Sequence, residues 1–290
     1  GMVTWETGKA VISGTSVEGD KIILHDILVE EGTLSEGAGV TLHVEQNKRL
    51  ATAAHHSATH LLHAALRAVL GDHVKQAGSL VSDERLRFDF THFTPLSTEE
   101  IEQIELLVNE QIWRNTPVVT EILSKEEALE GGATALFGEK YEEAVRVVSL
   151  SDFSKELCGG THVKASGDIG VVKIISENGI AAGVRRIEAV AGRTAFAEIQ
   201  NVYRREDETA ALLHTGNVTE IQSKIEALMK NLRAAEKQVA ELSTILASSD
   251  LDDLLKNAVT VEGLRVLAAE IQLDSPKTLR EVGDKVRDGL

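Results

Sequence analysis

The 290-residue chain is short of aromatic residues (3%), has three prolines and one cysteine, and contains no long apolar run. One cysteine excludes an internal disulfide, so a reducing cytoplasm is the expected home. No stretch approaches the ~18–20 apolar residues of a membrane span. The first residues show no signal-peptide pattern, and Gly1 before Met2 reads as a cloning remnant. With few aromatics, the core must come from Leu, Val, Ile and Ala. Positive charge is the other shortage: 30 Lys and Arg stand against 46 Asp and Glu, a net −16. That balance disfavours sequence-blind nucleic-acid binding, which neutralises phosphates, but it leaves room for a local basic surface.

What is present divides the chain into four parts. Residues 1–50 contain short β runs, KIILHDILVEEG and GVTLHVEQ, with glycine punctuation, and are expected to form a small, partial β subdomain. Residues 51–195 mix helical and strand patterns. ATAAHHSATHLLHAALRAVLGD is helical, with an apolar stripe through Leu61, Leu62, Ala65, Leu66, Val69 and Leu70 and a stop at Gly71. LRFDF alternates as a half-buried strand; residues 98–115 form a second amphipathic helix capped by Ser97 or Thr98. PVVTEIL and RVVSL read as strands flanking a short helix at KEEALEGG. GVVKIISENG reads as a strand ending in a turn, and GVRRIEAVAG as another strand. The expected class is α+β, with mixed or antiparallel sheets.

From about residue 196 the pattern changes. Ile221, Ile225, Leu228, Leu232, Ala235, Val239, Leu242 and Leu246 follow 4-3 spacing, the seam of a coiled-coil-like helix. Its partner is either a second chain, giving a homodimer, or the segment TAFAEIQNVYRREDETAALL folded back after a break at His214–Asn217. SSDLDD (248–253) reads as the exit from this helical region, 196–250. Residues 251–290, with the β run VEGLRVLAAEI and a helical run ending in DGL, read as the start of a truncated α/β domain.

Two short words carry chemistry. HHSATH (55–60) places His56 and His60 four apart, on one helical face. CGGTH (158–162) places the lone cysteine four residues from His162, with two glycines allowing a tight turn. Each pair alone fits packing or chance, since five of the ten histidines fall between residues 55 and 73. Together they make an N₃S set suited to one tetrahedral Zn²⁺. His55 is an alternative to His56 but points off the face; His63 and His73 read as packing or hydrogen-bonding residues. Four protein ligands suit a structural ion, unless one gives way to water or substrate. Glu156 and Asp168 are acid–base candidates by sequence proximity, each reading more simply as a solvated loop carboxylate.

The words HHSATHLLHAALRAVLGDHVKQAGSLVSDERLRFDFTH, ALFGEKY, ELCGGTHV, SGDIG and GVRRIEAVAG resemble the editing domain of alanyl-tRNA synthetases, also found in free-standing alanyl-tRNA editing proteins. The heptad helix and the tail are similar to that synthetase's linker and the first part of its C-terminal domain. The aminoacylation core, with its ATP site and class II motifs, has no counterpart in these residues, so they should not charge tRNA. The resemblance implies that His56, His60, Cys158 and His162 bind zinc. It also implies that serine or glycine wrongly attached to tRNA(Ala) is released by ester hydrolysis. Gln76 matches a functionally important glutamine and is the candidate contact to a substrate hydroxyl. Lys75, Lys164, Arg185 and Arg186 are candidate contacts to tRNA phosphates or the terminal ribose; in a strand, the two arginines would face opposite sides. The competing expectation is a non-catalytic tRNA-binding or dimerisation segment whose zinc is structural. Which group activates water is left open by the sequence.

Overall fold

The computed structural model describes residues 1–19, 22–134, 143–255 and 258–268, with residues 280, 283–284 and 286–287; the side chains of residues 244 and 246–255 are outside the description. The ALFGEKY word and most of the tail's helical run therefore lie outside the described residues. The chain divides into two compact units, Gly1–Asn201 and Val202–Leu290.

The first unit begins with an antiparallel sheet of β1 (Met2–Trp5), β2 (Gly8–Glu18), β3 (Ile22–Glu31) and β4 (Thr41–His43), in the order β3-β2-β1-β4. The long helix α1 (Gln46–Leu70) follows, then β5 (Gln76–Val81) and β6 (Leu86–Thr91). Next are α2 (Thr98–Trp113), β7 (Val118–Ser124), α3 (Lys125–Glu130), β8 (Ala144–Leu150) and β9 (Ser154–Leu157). The hairpin β10 (Val172–Ala181) and β11 (Val184–Ala191) leads into α4 (Gly192–Leu212). Two further antiparallel sheets result, β10-β11-β6-β5 and β7-β8-β9. This is an α+β arrangement.

Helix α1 starts at Gln46, five residues before its expected start, and stops where Gly71 takes φ 111°. Its apolar stripe is the centre of the core: Ala58, Leu61, Leu62, Ala65 and Leu66 are fully buried against Phe88 and Phe90 of β6, Ile187 of β11, and Ile104, Val108 and Ile112 of α2. Each such leucine contributes roughly 1.5–3 kcal/mol of burial. Helix α2 opens with a capping box in which Ser97 accepts from Glu100 N–H and Glu100 accepts from Ser97 N–H. Buried Asn109 then ties α2 to the sheet, donating to Val172 O and accepting from Val172 N–H.

Three expectations are corrected here. LRFDF is not half-buried: Asp89 lies inside as well, because Arg186 pairs with it bidentately through Nε and Nη2. The Asn178–Gly179 step is not a turn; β10 runs on to Ala181 with a local register shift, and the reversal falls at Gly183, φ 71°. SSDLDD is not an exit, since α5 (Ile221–Leu255) passes through it. No Gly or Pro interrupts that stretch, and Ser and Asp lower helix propensity only by tenths of a kcal/mol, about 0.5.

In the second unit, α4 ends at Leu212, His214 adopts φ 52°, and Asn217 caps the turn that starts α5. Val202, Arg205 and Thr209 of α4 face Ile221, Gln222 and Ile225 of α5 across a cleft of about 670 Å³. Further along α5, Leu228, Leu232, Val239 and Leu242 are exposed. A small hairpin, β12 (Val259–Val261) with β13 (Leu264–Val266), follows. No helix among the described residues is long and apolar enough to cross a membrane.

Candidate metal centre

Two turns of α1 and the loop after β9 meet at His56, His60, Cys158 and His162, one ligand atom from each lying within 4.8 Å of the others. The Cys158 Sγ is 3.4 Å from His56 Nε2 and 3.3 Å from His162 Nε2. The three imidazole centroids are 4.3–5.2 Å apart. Three nitrogens and a sulfur this close around one point are the donor set of a tetrahedral, borderline-soft ion. The expected alternative for His56 is excluded by geometry. His55 is fully buried and spent: its Nδ1–H donates to Ala51 O, and its Nε2 accepts from Ala191 N–H.

The same region keeps the imidazoles neutral. Burial, then the neighbouring His60, pushes His56 down to about 4. Burial, with His60 and His56 close by, pushes His162 down to about 2. Burial also lowers His60, against the pull of Glu156. A neutral imidazole offers a lone pair; a protonated one offers none. With Nε2 turned to the thiol, His162 Nδ1–H donates to Ser57 Oγ at 3.0 Å, while Ser57 also accepts from Val163 N–H.

The CGGTH loop is held by a residue that reads as an ordinary polar strand position. Arg146, on β8, donates to the carbonyls of both Cys158 and Gly160, at 2.7 and 2.8 Å. Of the two glycines, only Gly160 is required for space: a Cβ there would lie 2.0 Å from His56 Cε1, whereas one at Gly159 meets nothing within 4 Å.

Glu156 departs from its expected solvated setting. It is 5% exposed on β9, with Oε1 3.0 Å from His63 Nδ1 and Oε2 3.6 Å from His60 Nδ1. Burial pushes this carboxyl upward, but the hydrogen bond from His63 and the adjacent histidines outweigh it, leaving a net downward shift. Asp168 is exposed and accepts from Lys164 and Ala165 N–H, a loop-capping role. His73 stacks on His92, away from the ligand set.

The remaining sequence candidates are not drawn into the four-ligand cluster. Gln76 opens β5 opposite Phe90, half-buried, its amide donating to Ser79 Oγ. Lys75 and Lys164 are exposed. Arg185 is bound bidentately by Glu177 through Nε and Nη2, and Arg186 by Asp89 in the same way.

Comparison with known proteins adds to this geometry. Residues 145–188, which include Glu156 and the CGGTH loop, match the family described as the second additional domain of threonyl and alanyl tRNA synthetases. Over all 290 residues the chain is 45% identical to an alanine–tRNA ligase of Methylococcus capsulatus, of which it covers 33%. The chain is a homologue of one segment of the alanine–tRNA ligases. An alanine–tRNA ligase of Desulfitobacterium hafniense is 49% identical over 268 residues, 92% of this chain and 30% of the relative. Alanine–tRNA ligase 1 of Lachnoclostridium phytofermentans is 47% identical over 262 residues, 90% of this chain and 30% of its own length. The chain thus spans about a third of the relatives it matches.

Proposed function

We propose that residues 51–195 form a zinc-dependent editing unit that hydrolyses the ester joining serine or glycine to tRNA(Ala). The observation carrying this reading is the convergence of His56, His60, Cys158 and His162, on a segment homologous to an alanine–tRNA ligase. The set fits Zn²⁺ by donor type, by spacing and by the neutrality of its imidazoles. When bound, the ion supplies a positive charge that polarises an ester carbonyl or fixes the terminal ribose.

The chain's own residues do the rest. Ser57 fixes the imidazole plane of His162, and Arg146 fixes the loop bearing the thiolate. Gln76 offers an amide to the serine hydroxyl. A pocket made for alanine rejects one added hydroxyl by only about 10²-fold, whereas a site built to hydrogen-bond that hydroxyl discriminates by roughly 10⁴–10⁵. Lys75 and Lys164, exposed, serve the RNA phosphates. Arg185 and Arg186, engaged by carboxylates, shape the sheet that carries them.

The test is incubation with serine-charged tRNA(Ala), following serine release with and without a chelator. Release should occur, and Cys158→Ala should abolish it. A folded, zinc-loaded chain that releases no serine would leave a second reading, a tRNA-binding or dimerisation segment with a structural ion. The exposed apolar seam of α5 favours that reading as an additional role.

A further inference from the structure

Each of the three ligand imidazoles has a second nitrogen that must be held. For His162 the holder is evident, Ser57 Oγ. For His60 it is not: Nδ1 is buried and lacks a hydrogen-bond partner, yet Glu156 Oε2 stands only 3.6 Å away. The other oxygen of that carboxylate is already engaged by His63, one turn further along the same face of α1. An ionised carboxylate only accepts, so both imidazoles facing it must present N–H. That fixes His60 with hydrogen on Nδ1 and the lone pair on Nε2.

We infer that Glu156 is the positioning residue of the metal centre: it accepts from His60 Nδ1–H, turns His60 Nε2 toward the ion, and supplies the second negative charge the centre needs. The charge count supports the last clause. A divalent ion with three neutral imidazoles and one thiolate leaves +1 in a buried place, and an uncompensated buried charge is costly. One carboxylate adjacent to a ligand brings the ion and its ligands to zero, the Arg146 guanidinium on the loop adding to the need for negative charge. Glu156 and His63, nine-tenths or more buried, are otherwise hard to explain in an acidic chain with ample surface for carboxylates. Ligand histidines whose outer nitrogen meets a carboxylate are a recurrent pattern, and losing the carboxylate lowers metal affinity about 10–100-fold.

The inference rests on the proposed zinc site, and its test separates the two. Zn²⁺ affinity of the parental chain and of Glu156→Gln is measured by competition with a chromophoric chelator. The absorption of the Co²⁺ forms reports the geometry at the thiolate. E156Q should bind Zn²⁺ about 10–100-fold more weakly and shift the Co²⁺ bands. Should E156Q fail to fold, Glu156→Asp keeps the charge but shortens the reach, and should lose about tenfold. Parental affinity and an unchanged Co²⁺ spectrum in a folded variant overturn the positioning role alone. A parental chain that takes up no metal overturns the centre and its positioning residue together.

Discussion

Helices α1 and α5 are both long and both amphipathic, yet they have opposite fates. Over 25 residues α1 buries twelve side chains, polar ones included. Over its 35 residues α5 leaves Leu228, Leu232, Val239 and Leu242 in the open. The difference lies in what each face meets, since both sequences have helical apolar spacing. The stripe of α1 is covered by β6, β11 and α2, which allows it to carry His55, His60 and His63 inside. A buried imidazole is tolerable only where partners are fixed around it. Among the described side chains, the 4-3 seam of α5 is exposed from Leu228 to Leu242 and includes no buried polar group. Functional side chains sit where the fold already surrounds them.

The contrast is most directly tested by truncating one leucine in each helix. Leu62→Ala should cost about 2–5 kcal/mol, lowering the melting temperature by about 4–20 °C. Leu232→Ala in a monomeric sample should change stability by under ~0.5 kcal/mol. A large, concentration-dependent loss at Leu232 would mean that α5 pairs between chains and the contrast is an artefact of the isolated protomer.

Metal removal comes next. If zinc binds only the folded chain, at a thousandfold excess over its dissociation constant it adds about 4 kcal/mol. Chelation or Cys158→Ala should therefore lower the melting temperature by about 8–16 °C. A melting curve indifferent to chelator would argue against a bound ion. Gly160→Ala, whose Cβ would press on His56, should cost about 1–3 kcal/mol, whereas Gly159→Ala should be nearly silent. Equal effects of the two would show that chain flexibility, not space, is why the loop has glycines.

A further effect is expected from pH in the metal-free protein. Below about 6.5 the unfolded chain protonates His56, while the folded chain does not until about 4. The unfolded state binds more protons in that window, so stability should fall as pH is lowered from 6.5 to 4 and be flat above it. His162, lower still, extends the decline toward about 2. A melting temperature unchanged between pH 7 and 5 would contradict buried, neutral histidines.

How much of this was legible in the sequence depends on whether the signal was local. The stripe of α1, a cap at Ser97 or Thr98 and the four candidate ligands are written in spacing. The choice of His56 over His55 followed from helical angle, but the actual duty of His55 needed Ala191, 136 residues away. Arg146 looks like any polar strand residue, because the carbonyls it grips belong to a loop twelve and fourteen positions later. Glu156 read as a loop carboxylate because nothing nearby in sequence shows that His63 and His60 will face it. Asn178–Gly179 misled for the opposite reason: a strong local turn word was overridden by pairing of β10 with β11.

The distance between the ligands along the chain bears on how the protein is made. His56 and Cys158 are 102 residues apart. At about 5–20 residues per second, α1 leaves the ribosome some 5–20 s before its thiol partner exists. Throughout that interval its buried histidines lack the loop, Glu156 and Ala191 that satisfy them. The helix must wait with its polar interior incomplete, and the centre can close only near the end of the first unit's synthesis. A chaperone or the ion itself, captured early by the His56–His60 pair, would shield the helix during that wait.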